Sequence, residues 1–213
     1  MPMVVGLLLA ACSSQAPKHP FLPWDITVHP DGSSSVFGVQ LGKDSLLRFK
    51  RLYDQKADLA IFVDPDQKTT LEAYFGTVQV GALSAKVAIV AQATPDMLKS
   101  WIESSHVSGD ATPSGARKYP LTDDQLLKAQ DFPIESITYR PDADYTEALI
   151  ERHFGKPETI LHPDAPNQYW LYPGKGLMIT VNKDGRDLFQ YIAPKDFGTL
   201  KASIPPLKAP TNS

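Results

Sequence analysis

The stretch "VDPDQKTTLEAYFG", residues 63–76, has a partial echo in "LHPDAPNQYWLYPG", residues 161–174. At an offset of 98, Pro65 matches Pro163, Asp66 matches Asp164, Tyr74 matches Tyr172 and Gly76 matches Gly174. Within the first copy, apolar and polar residues alternate, the period of a strand with one face on a core. Leu71, Ala73 and Phe75 are expected to face inward, and Thr70, Glu72 and Tyr74 outward.

Working outward, each copy follows a helical pattern. Leu46, Phe49 and Tyr53 share one helix face before the first copy, as do Tyr145, Ala148 and Leu149 before the second. Asp44 and Asp144 read as N-caps, the latter closing a capping box with Glu147. Strand-like runs surround or follow each copy: "LAIFV", "TLEAYFG" and "AKVAIVAQ", then "ETIL", "QYWLY", "LMITV" and "DLFQYI". Between the last two, "NKDG" (182–185) reads as a hairpin turn whose Asp-Gly pair favours positive φ. A short helix "TPDMLKSWI" follows the first set, with Thr94 as cap and Pro95 in its first turn, and "APKDFGTLK" is its weaker counterpart. In "LTDDQLLKAQDF", Thr122 and Gln125 form a capping box.

These patterns predict an α+β fold: two tandem α-β-β-β repeats forming a mostly antiparallel sheet backed by helices. The expected segments are a first repeat over 36–103, a connecting loop and short helix over 104–133, a second repeat over 134–202 and a frayed tail over 203–213. Within the connection, 104–121 reads as loop. Residues 13–35, rich in proline and serine, read as a tether running from Cys12, although Phe21, Trp24 and Ile26 in "FLPWDITV" are costly to leave in water.

The sole cysteine, Cys12, stands in "LLLAACSSQ" (7–15) after the apolar run Val4 to Leu9. Leu9-Ala10-Ala11-Cys12 resembles the lipobox of bacterial lipoproteins. That resemblance implies a signal peptide over 1–11, diacylglycerol on Cys12, palmitate or a like acyl chain besides, and, with Ser13 rather than Asp next, an outer-membrane address facing the periplasm. No Lys or Arg precedes the apolar run. Nothing else approaches the roughly 20 apolar residues of a membrane span.

The second unit, "YTEALIERHFGKPETILHPDAPNQYWLYPGKGLMITVNKDG", is similar to the small BamE/SmpA-type outer-membrane lipoproteins. The likeness lies in the helix closed by Phe154-Gly155-Lys156-Pro157, the pair Trp170-x-Tyr172, the "LMITV" strand and the Asp-Gly turn. Two such units in one chain resemble the tandem fold of beta-lactamase inhibitor proteins. The chain lacks the Gly-Met-Thr helix start of the former and the paired cysteines of the latter. What the resemblance implies is a non-enzymatic protein-binding scaffold in the cell envelope, with another envelope protein as partner and no cofactor.

Composition excludes some classes. A net charge of −3 and a pI near 5.9 supply no basic field for nucleic acid. His19, His29, His106, His153 and His162 show no metal-ligand spacing, so no metal site is expected. The two "HPD" tripeptides, at His29 to Asp31 and His162 to Asp164, fit turn chemistry. Asp142-x-Asp144 and Asp123-Asp124 lack the glycine and distal glutamate of a calcium loop and fit helix caps. Neither a nucleophile elbow nor a phosphate-binding glycine loop occurs, "PGKGL" being a glycine turn.

Carrying the outward face of Glu72 and Tyr74 across the offset puts Gln168, Trp170 and Tyr172 outward, and the next strand adds Met178 while Leu177, Ile179 and Val181 point inward. Tyr74, Trp170, Tyr172 and Met178 are therefore the expected binding stripe. The competing reading packs these side chains against cross-strand neighbours or under the N-terminal segment. Two other functions stay open: an envelope protein binding a lipid or glycan in an enclosed apolar pocket, and an enzyme with convergent polar groups in a cleft.

Overall fold

The computed structural model describes residues 21–163 and 166–206, so Cys12, the signal segment, His19, Asp164 and the last seven residues lie outside the described part. The fold is α+β. A small antiparallel sheet joins β1 (Thr27–Val28), β2 (Ser34–Val36) and β3 (Val39–Gln40). Next come α1 (Leu46–Tyr53), β4 (Asp58–Val63), β5 (Thr69–Val80), β6 (Leu83–Ala91), α2 (Pro95–Ser105), β7 (Asp110–Ala111), β8 (Arg117–Pro120) and α3 (Asp123–Ala129). The chain continues through β9 (Ile134–Pro141), α4 (Glu147–Phe154), β10 (Thr159–Leu161), β11 (Asn167–Tyr172), β12 (Leu177–Asn182), β13 (Leu188–Ile192) and α5 (Phe197–Ala202). Strands β4 to β13 form one sheet in the order β10-β11-β12-β13-β9-β6-β5-β4-β8-β7, antiparallel throughout.

Alternation builds β5 as expected: Leu71, Ala73 and Phe75 are buried and Tyr74 is exposed. A β-bulge between Tyr74 and Gly76 then shifts the phase by one residue. Without it, Thr77 and Gln79 would enter the core; with it, Val78 and Val80 do. Gly76 adopts φ +64°, a backbone state that glycine enters without steric cost.

The inner sheet face packs on α1 through Leu46 and Phe49, on α2 through Leu98 and on α4 through Ile150 and Phe154. Residues 21–35, expected as tether, belong to this fold. Ser33 and Ser34 are buried, and Trp24 and Ile26 pack on the core. The reason is tertiary: apolar groups in a proline-rich segment pack on the same inner-face core, where Trp24 lies against His153 and Phe154 of α4. The β2–β3 turn pushes Phe37 into that core at φ 53°, with Gly38 at φ 75°, so both central residues take the positive φ of a type I′ turn. Phe37 lies against Tyr139 and Tyr191, at centroid distances of 5.3 and 5.2 Å.

Other expectations need correction. Residues 104–121 are not simply loop, since β7 and β8 form a hairpin that extends the sheet beyond β4. β9, invisible to period-two reading, sits between β13 and β6 and joins the two halves. Its bulge opposite Val90 and Ala91 spaces Ile134, Ile137 and Tyr139 irregularly. Thr146, not Asp144, caps α4 by accepting from the Leu149 amide, and Asp144 pairs with Arg186 at 2.8 Å instead. Ser45 occupies the cap position of α1, while the Asp44 carboxylate accepts from the Gln40 amide. The "NKDG" hairpin forms, but Asp184 and Gly185 lack positive φ. The Asn182 side chain accepts from the Asp184 amide, and Asp187 accepts from the Asn182 amide, holding a longer loop. Thr94 and the Thr122–Gln125 box cap α2 and α3 as read.

Candidate functional site

The outer face of the sheet is covered unevenly. Over β11, β12 and β13, α5 lays down Phe197 and Leu200, which bury Tyr169, Leu171, Met178 and Ile192 beneath them. Over β8, β4, β5, β6 and β9, the outward side chains are half-buried or exposed, Ala60 alone being buried among its neighbours.

This uneven cover overturns most of the expected stripe. Tyr74 is 46% exposed, whereas Trp170, Tyr172 and Met178 are buried. Nor do those three share a face. Trp170 pairs with Ile179 and Tyr172 with Leu177, on the inner side, while Met178 pairs with Leu171 under α5. β11 is buried on both faces, so its sequence carries no polar-apolar contrast from which to read direction. The Trp170 indole donates to Gln168 Oε1 at 3.1 Å, and the Tyr172 hydroxyl donates to the Gly155 carbonyl at 3.0 Å at the end of α4. These side chains brace the core.

Around Tyr74 the register builds two rows across the open half. One runs Asp58, Tyr74, Ala88, Thr138, Gln190; the other runs Pro120, Ala60, Glu72, Val90, Ser136. Between them lies a depression of about 290 Å³, lined by Asp58, Phe62, Glu72, Tyr74, Ala88 and Lys118. Lys118 Nζ meets Asp58 Oδ2 at 2.7 Å, and Thr70 Oγ1 donates to Glu72 Oε1 at 2.9 Å. An aromatic ring, an apolar floor and a rim of fixed charges suit recognition of a protein surface. The depression is lined by no serine, cysteine or histidine. Asp58, Phe62 and Lys118 escaped the sequence reading. Only the strand-like run "LAIFV" and the turn glycine before "ARKYP" signalled them, and Pro120 made the latter look unlike a strand.

The rival sites are less developed. The depression between α1, α3 and β4, lined by Leu46, Ala57, Leu59, Phe75 and Leu126 together with Lys50 and Gln130, holds about 170 Å³, below the 300–1,000 Å³ usual for ligand pockets. A larger, open depression lies between the β12–β13 loop and the start of α4. There, burial pushes Asp187 above the ordinary carboxylate range, but the backbone amides of Asn182 and Tyr145 already donate to it, so it is a structural tie. His29 accepts or donates a hydrogen bond with Ser35 Oγ at 2.7 Å, His106 ends α2, His153 stacks on Trp24 and His162 is exposed. Among the described residues, no group of three or more His, Cys, Asp or Glu is gathered to hold a metal ion, and no helix is long and apolar enough to cross a membrane.

No protein-family model, curated protein or solved structure matches the chain. The functional reading therefore rests on the sequence and this geometry.

Proposed function

We propose that the chain is a bacterial envelope lipoprotein, held in the outer membrane by acyl chains on Cys12 and facing the periplasm, whose open half-sheet around Tyr74 binds another envelope protein. The observation that carries the binding half of this reading is the uneven cover: α5 shields one half of the outer face, and the other half leaves a large aromatic side chain in water beside a fixed Asp58–Lys118 pair. Solvent-exposed aromatics with an apolar surround are the usual anchors of protein interfaces. The lipobox-like Leu9-Ala10-Ala11-Cys12 supports the anchoring half. A duplicated α-β3 unit is part of the same reading. Its support is the recurrence of helix, antiparallel strands and helix in α1-β4-β5-β6-α2 and again from α4 through α5.

Mass spectrometry of the N-terminal peptide from the membrane fraction tests the anchor. Acylated Cys12, with Cys12→Ser moving the protein to the soluble fraction, is the expected result. A free, uncleaved N-terminus on a soluble protein would defeat it.

A further inference from the structure

Helix α1 shows two faces. Leu46, Phe49 and Tyr53 turn toward the core, while Leu47, Arg48, Arg51 and Leu52 follow one another around the opposite side, as 100° per residue requires. These four, with Ser45, line a surface depression of about 310 Å³. Leu52 is 37% exposed, an apolar group standing among cations. Between Lys43 and Lys56 the chain places five cations, Lys43, Arg48, Lys50, Arg51 and Lys56, against two carboxylates, Asp44 and Asp54, although the whole chain is net negative. Asp44 is taken up by Arg48 at 3.2 Å, and among the described residues Arg51 and Lys56 make no ion pair.

The path of the N-terminal segment ends at this same helix. The ring of Phe21, the first described residue, lies so close over Gly38 that a Cβ there would come within 2.6 Å of it. The Gly38 carbonyl in turn accepts from Arg48 Nη2 at 3.3 Å. Cys12 is nine residues from Phe21, a reach of at most about 32 Å when extended. An acyl anchor on Cys12 therefore keeps α1 near the bilayer surface.

We propose that the outer face of α1 is a membrane-contacting surface, in which Arg48 and Arg51 engage the phosphates of anionic phospholipid headgroups while Leu47 and Leu52 enter the interfacial layer. The proposal rests on the lipid anchor at Cys12 for its place in the cell. A short acyl anchor gains from a second, basic-apolar contact, and each cation at an anionic surface strengthens binding about five-fold. Seated in this way, the molecule has its orientation over the bilayer fixed rather than swinging on the anchor.

The test measures co-sedimentation of the unacylated full chain, Cys12→Ser, with vesicles of equal parts phosphatidylglycerol and phosphatidylcholine, and with phosphatidylcholine alone. Binding to the anionic vesicles is expected, weakened about five-fold by Arg51→Gln and roughly twenty-five-fold by Arg48→Gln with Arg51→Gln. Salt at about 0.5 M should abolish it by screening. Among the described residues the Arg51 side chain makes no ion pair, so Arg51→Gln leaves the fold's contacts in place, and a folding defect in the double variant does not shelter the proposal. Equal binding by wild type and Arg51→Gln overturns it, as does equal binding to phosphatidylcholine alone, which would assign the contact to the apolar leader. A lipid-independent dimer dissociated by Arg51→Gln also overturns it, giving the face to a second copy. Acylated Cys12 with charge-blind vesicle binding defeats this inference and leaves the anchor. Unacylated Cys12 with charge-dependent binding defeats the anchor and supports the surface.

Discussion

The hydroxyl of Tyr191, on the central strand β13, donates to the carbonyl of Pro23 at 3.1 Å inside the core, joining groups 168 residues apart. Beside it the Trp24 indole lies on the His153 imidazole, with centroids 3.8 Å apart and planes 18° from parallel. Together these contacts make residues 21–26 a structural element of the domain.

Replacing Tyr191 by Phe removes the donor and leaves the Pro23 carbonyl buried and unpaired. Denaturant unfolding should register a loss of about 1–2 kcal/mol at unchanged slope. Amide exchange near Trp24 should rise. An unchanged midpoint would mean that the segment docks by packing alone.

The two aromatic residues expected on one stripe should behave oppositely. Trp170→Ala opens a cavity in the core on the inner face of β11 and should cost about 3–5 kcal/mol, read as a lowered denaturation midpoint. Tyr74→Ala touches the surface and should stay within about 0.5 kcal/mol of wild type. A comparable loss for both would place Tyr74 in a packed environment.

Glu135 sits at the β9 bulge, where burial raises its carboxyl above the ordinary value of 4.5; Lys68 opposes the shift and Asp196 adds to it. A raised folded-state value means the fold holds this proton more tightly than the unfolded chain does. Stability therefore falls as pH climbs from the ordinary value through the raised one, and the full penalty is present at neutral pH. Glu135→Gln should melt higher than wild type at neutral pH, with the gap narrowing below pH 4.5. A gap independent of pH would assign the effect to packing.

How much was legible in the sequence follows from where signals were local. Leu71, Ala73 and Phe75 alternate with polar neighbours, so β5 and the exposure of Tyr74 could be read directly. Thr122 and Gln125 carry their cap in four residues. The rest was set by contacts distant in sequence. The direction of Trp170 depends on α5, whose Phe197 and Leu200 remove the wet face that alternation needs. β9 hides behind its bulge, and residues 21–35 look like a tether until Tyr191 and His153 supply partners for Pro23 and Trp24. The candidate surface was legible only along β5, at Tyr74 and Glu72. Lys118 reaches it only because β8 pairs with β4, across 60 residues of chain from Asp58.

The open half-sheet as a partner surface is tested most directly by a photo-crosslinking amino acid placed at Tyr74 in cells, with the same probe at Lys99 on α2, against the opposite sheet face, as control. A discrete adduct from Tyr74 that Lys99 does not give, and that Phe62→Ser weakens, is the predicted result. The same adducts from both sites, or none from Tyr74 while the protein is folded and membrane-bound, would contradict the account.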